Sequence, residues 1–132
     1  MRKKIRVGKA TDGLMGGNSK KPRHYLEIDD SDGESIVAKV MTNDNNNLKH
    51  INKINHGMRK PIKNFSKNSV VDKTLYVEKV NKKPIRTSEL NFEKSNFEFD
   101  EQQSRKIRRF IFSSEKNRQR YFYWKTRHKK KK

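Results

Sequence analysis

The sequence predicts an α+β fold: a small antiparallel sheet, a closing C-terminal helix, and a basic tail. Three observations carry this. Two strand-like runs, 23–28 and 35–42, flank the turn signal Asp32-Gly33. A further strand-like run lies at 70–80. Asp100 and Gln103 have the spacing of a capping box ahead of a helical apolar stripe.

Each element has its own signal. Ile5 and Val7 alternate with Arg and Lys, which predicts a short strand near a sheet edge. Residues 10–22, with Gly13, Gly16 and Gly17, predict a flexible loop ended by Pro22. Arg-His-Tyr-Leu-Glu-Ile at 23–28 and Ser-Ile-Val-Ala-Lys-Val-Met-Thr at 35–42 predict the two arms of a hairpin. The carboxylates of Asp29, Asp30, Asp32 and Glu34 lack the spacing of a full EF-hand loop and read as an acidic turn. Residues 43–68 predict a long polar loop. Ile51, Ile54 and Met58 form at most one helical turn there, which Pro61 stops. Val70 to Val80 predicts another strand, and Pro84 interrupts the chain beyond it. The helix is predicted over about 101–112, with Ile107, Phe110 and Ile111 on the stripe that packs on the sheet. Residues 1–112 are thus expected to form one domain and 113–132 a basic aromatic tail.

Composition points to the partner. The 132 residues carry 34 Lys and Arg against 15 Asp and Glu, a formal charge of +19. Thirteen basic residues and one acid fall in 103–132, which places +12 of that charge there. Such a chain repels itself and attracts polyanions. RNA or DNA is the expected partner; an ordinary Lys-rich surface and an anionic membrane are the alternatives. Apolar residues make up 30 % of the chain, well under the roughly 45–50 % of ordinary domains. Much of the chain therefore lies outside any core. The absence of cysteine excludes a disulfide scaffold, a thiolate zinc site and a thiol nucleophile. The four histidines show no ligand spacing, so neither metal nor cofactor is expected. No apolar run approaches a membrane span and no h-region comes after the basic N-terminus, so a cytoplasmic protein is expected.

The binding candidates are Arg105, Arg108, Arg109, Arg118, Arg120, Lys125 and Arg127 for phosphates. Tyr121, Tyr123 and Trp124 would stack on unpaired bases, or the run 121–124 would instead be a core strand. Lys20 and Lys21 close a Gly-rich segment whose amides would approach a phosphate, or which is simply mobile. A catalytic reading assigns Arg23 to charge on a phosphorane, His24 to proton transfer and Thr42 to positioning the phosphate, so that RNA would be cut by its own 2′-hydroxyl. His24 reads equally as an edge-strand histidine.

The order of segments resembles the MazF/PemK toxin family. Gly8 and the Gly-rich loop into Lys21-Pro22, then Val37 to Thr42, Asn68 to Val71 with Tyr76 to Val80, and the helix near 101–112 carry the likeness. Lys21 stands where the family has its catalytic Arg. The resemblance implies an SH3-like β-barrel, a metal-independent endoribonuclease, a homodimer and an acidic antitoxin partner. The residues alone leave two other functions open. One is a non-enzymatic nucleic-acid-binding accessory protein of a phage or mobile element. The other is an inhibitor of an acidic or nucleic-acid-processing protein.

Overall fold

The computed structural model describes residues 4–10, 14, 23–42, 59–62, 69–92 and 99–130, with backbone alone at 41, 42, 59–62, 69, 129 and 130. Five strands are present: β1 (Arg6–Ala10), β2 (Arg23–Ser31), β3 (Glu34–Thr42), β4 (Arg59–Ile62) and β5 (Ser69–Tyr76). Two helices come after them, α1 (Glu101–Ile111) and α2 (Glu115–Lys130). The strands form one sheet in the order β1-β2-β3-β5-β4, and every pair is antiparallel. The fold is α+β. No pairing of β1 with β4 closes the sheet into a barrel among the described residues.

The hairpin forms where the turn signal predicts it. Asp32 and Gly33 both take positive φ, 53° and 78°. Positive φ at both central residues is the type I′ requirement, whose twist matches that of the flanking strands. β5 ends at Tyr76, short of the predicted Val80, because the chain turns over 79–83 with Lys82 at φ 68°. β4 lies inside the stretch expected to be loop. Its Pro61 is tolerated because β4 is an edge strand. The Gly-rich segment, save Leu14, and the helical turn at 51–58 lie outside the described residues.

Strand alternation gives the sheet two cores. One face carries Val7, Leu26, Ile28, Ile36, Ala38 and Val71 against Phe99, Ile107, Ile111 and Trp124. The other carries Tyr25 and Val37 against Ile85 and Leu90. The segment covering this second face is tied to the hairpin by Ser35 N–H on the Ile85 carbonyl and Thr87 N–H on the Gly33 carbonyl, both 2.8 Å. It reaches β1 through a reciprocal Lys9–Asn91 pair of 2.9 and 2.8 Å. Gly8 is required at that crossing, since a Cβ there would lie 2.9 Å from the Leu90 Cβ. Below it, the buried Glu27 accepts from Arg6 at 2.8 Å and from the Ser35 hydroxyl at 2.8 Å.

α1 begins as predicted. The Asp100 carboxylate accepts the Gln103 N–H at 2.7 Å, and the Gln103 side chain accepts the Asp100 N–H at 3.3 Å. The main departure is 113–132, expected to be a tail. Glu115–Lys130 is a sixteen-residue helix packed on the sheet. Ser114 starts it, its hydroxyl accepting the Asn117 N–H at 3.4 Å in the N-cap position.

Candidate nucleic-acid interface

The helical repeat sorts the residues of α2 into stripes. Asn117, Tyr121, Trp124 and His128, spaced four, three and four apart, face the sheet. Asn117 meets three backbone groups. Its carbonyl oxygen accepts the Leu75 N–H at 3.1 Å, and its amide donates to Lys73 at 2.6 Å and Ile111 at 2.8 Å. The Tyr121 hydroxyl donates to Asp29 at 2.8 Å. Burial first, and then the bond to Asp29, push its pKa above the ordinary tyrosine value. Trp124 is 1 % exposed, with the His128 ring edge-on at 4.6 Å.

The acidic turn receives the end of this helix. Lys125 lies 4.0 Å from Asp29, and Arg127 lies 3.8 Å from Glu34. His128 Nε2 is 2.6 Å from Glu34 and Nδ1 is 3.5 Å from Asp32, although neither nitrogen has hydrogen-bond angles. Asp29 and Glu34 of the acidic turn are therefore counter-charges of Lys125 and Arg127 on α2. Among the described residues, no group of three His, Cys, Asp or Glu is placed to hold a metal ion. No helix among them is long and apolar enough to cross a membrane.

Two other stripes face outward. Arg118, Phe122 and Lys125 form one, and Lys116, Arg120, Tyr123 and Arg127 the other. Each sets an aromatic ring between cations. Phe122 is 73 % and Tyr123 64 % exposed. Beside the second stripe runs a cleft of about 350 Å³ between α2 and the chain leaving β5, with Val77 and Glu78 on one wall and Gln119, Arg120, Tyr123, Trp124 and Arg127 on the other. A second hollow shares Val77, Glu78 and Arg120 and extends to Val80 and Lys82.

The predicted binding residues thus divide. Arg105, Arg109, Arg118, Arg120, Tyr123 and Lys125 are exposed, and Arg127 is half-buried. Arg108 is buried, its guanidinium donating twice to the Ile28 carbonyl at 3.1 and 3.2 Å. Tyr121 and Trp124 belong to the sheet-facing stripe, and neither offers the free ring face that base stacking needs. Lys20 and Lys21 lie outside the described residues. Phe122, Lys116 and Gln119 were missed. Their signal is the helical spacing, legible only once 115–130 is read as a helix.

The catalytic candidates separate in another way. Arg23 and His24 begin β2, and Thr42 ends the antiparallel neighbour β3, so all three lie at one end of the sheet. Successive strand residues, however, point to opposite faces. His24 takes the face of Leu26 and pairs across β1 with Lys9, whereas exposed Arg23 takes the face of Tyr25. Burial, and then the Lys9 charge, lower the His24 pKa and keep it neutral near pH 7. Comparison with protein-family models, curated proteins and solved structures finds no match.

Proposed function

We infer that the protein binds nucleic acid through the outer face of α2. The observation that carries this reading is the pair of stripes in which exposed Phe122 and Tyr123 sit between cations on a rigid, sheet-anchored helix. Cations at helical spacing neutralise phosphates, and an exposed ring between them meets the bases or sugars. The exposed Arg105 and Arg109 of α1 add to the same charge.

The reading predicts a salt signature. Affinity for a labelled oligonucleotide falls linearly in log–log against salt, with a slope of about −0.7 per phosphate contacted on a single strand. Titration at several salt concentrations measures it, and an affinity insensitive to salt would overturn the reading.

A second reading, a MazF/PemK-type endoribonuclease on an SH3-like barrel with an acidic antitoxin, has two supports. These are the order of strands before α1 and the shared sheet end of Arg23, His24 and Thr42. It is the less favoured, because alternation sends Arg23 and His24 to opposite faces and the exposed cations of α2 lie away from that sheet end. The expected result is that RNA incubated with excess protein and no metal stays intact. Fragments that disappear in Arg23→Ala would favour the endoribonuclease instead.

A further inference from the structure

We propose that the cleft between α2 and the chain leaving β5 takes one unpaired nucleobase, which makes single-stranded nucleic acid the ligand. The inference rests on the nucleic-acid reading above and assigns a pocket to it. Three observations carry it. The cleft, about 350 Å³, has room for a base and has Tyr123 on one wall and the apolar Val77 on the other. A flat ring between an aromatic face and an aliphatic one is the geometry by which unpaired bases bind without pairing partners.

The second observation is a pair of enclosed donors. Trp124 Nε1 and Arg127 Nε, on two residues that line this cleft, are buried without a hydrogen-bond partner among the described residues. Buried N–H groups are rarely left without an acceptor. Both nitrogens are enclosed, so they reach a ligand only as the Trp124 and Arg127 side chains turn toward the cleft, where the ring nitrogens and carbonyl oxygens of a base are acceptors of the kind these donors lack.

The third is the distribution of charge about the mouth. Arg120 lies on the helix side, and Lys116 stands one turn before it on the same stripe. Glu78 is on the opposite lip, 3.8 Å from Lys82. A phosphate is drawn to the cations of the helix side, while Glu78 is already paired with Lys82, so the backbone runs along α2 and the base turns inward. A duplex keeps its bases stacked and paired and cannot enter, although its phosphates still meet the cations.

The single tryptophan of the chain lines this cleft and reports on it directly. The test titrates the full protein with a labelled single-stranded oligonucleotide of about 12 nucleotides, and with the same sequence as a duplex. Trp124 emission and label anisotropy are read together. The single strand is expected to quench Trp124 and the duplex to leave it unchanged. Tyr123→Ala is expected to weaken single-strand binding by about tenfold and to leave duplex binding within about twofold. Tyr123→Phe keeps the ring and is expected to bind like the parent. Tyr123 is 64 % exposed, so loss of its ring spares the core, and the thermal melt of each variant checks this. Single-strand and duplex binding that are equal, and equally unaffected by Tyr123→Ala, overturn the base pocket while nucleic-acid binding stands. No response to either ligand overturns both and leaves the cleft to a protein partner.

Discussion

Replacing Arg118, Arg120 and Lys125 together by glutamine is expected to weaken single-strand binding by about fiftyfold near 0.15 M salt, and by several hundredfold near 0.05 M. Three phosphate contacts account for about 2 units of the log–log salt slope. If the electrostatic contribution vanishes near 1 M salt, those units correspond to the losses just given at the two concentrations. Glutamine keeps much of each side-chain stem, so packing along α2 changes little. Arg118 also donates to the Phe112 carbonyl at 2.6 Å, and a glutamine amide can take that role. Lys125 is the least committed of the three to its protein partner, since Asp29 stands 4.0 Å away and the lysine side chain is 57 % exposed. Such a pair contributes about 0–1 kcal/mol to stability. The variant should therefore melt close to the parent while its binding collapses, and the two affinities should converge at high salt. The parent and the variant sharing one slope would show that these cations do not meet phosphates.

How much of this was legible in the sequence depends on which physical signal each element carries. The hairpin and α1 were read correctly because their signals are local. Asp32-Gly33 specifies a backbone conformation, and Asp100 with Gln103 specifies a reciprocal cap. α2 was not read, for a physical reason. Its sheet-facing stripe is Asn117, Tyr121, Trp124 and His128, half of it polar, while two aromatics of the run 121–124 point outward. An apolar period of 3.6 residues therefore never shows. The polar members become visible only with their tertiary neighbours, the Leu75 N–H that Asn117 accepts and the acidic turn beside His128. Ser114 with Glu115 after it was the one local signal available. Charge was legible as a total but not as an arrangement. Arg108 and Arg109 are alike in the sequence, and the fold buries the first and exposes the second. Arg23 and His24 are adjacent in the sequence, and a strand necessarily divides them between its faces.

The anchoring of α2 gives the largest expected effect on stability. Trp124→Ala is expected to destabilise the protein by about 3–5 kcal/mol, the usual cost of emptying a large aromatic site in a core. The fold as a whole is worth only about 5–15 kcal/mol, so the loss approaches its margin. Three features put this residue at the upper end. The indole is 1 % exposed and belongs to the same core as Ile107 and Ile111. Its stripe neighbours Tyr121 and His128 hold α2 by polar contacts to Asp29, Asp32 and Glu34, which depend on the helix being seated. A helix of sixteen residues so rich in cations has little reason to persist away from the sheet. Removing the indole should therefore release the helix and lower the α-helical circular dichroism before the sheet melts. Phe122→Ala, two positions away and 73 % exposed, should change stability by no more than about 0.5 kcal/mol. The contrast between two aromatics of one run tests the placement of α2. Chemical denaturation of both variants measures it, and equal destabilisation would mean that the helix is not seated on this face. Losing the seat also removes the binding stripes from their fixed geometry. Trp124→Ala should then bind single strands weakly although the exposed cations and rings of α2 are unchanged in sequence.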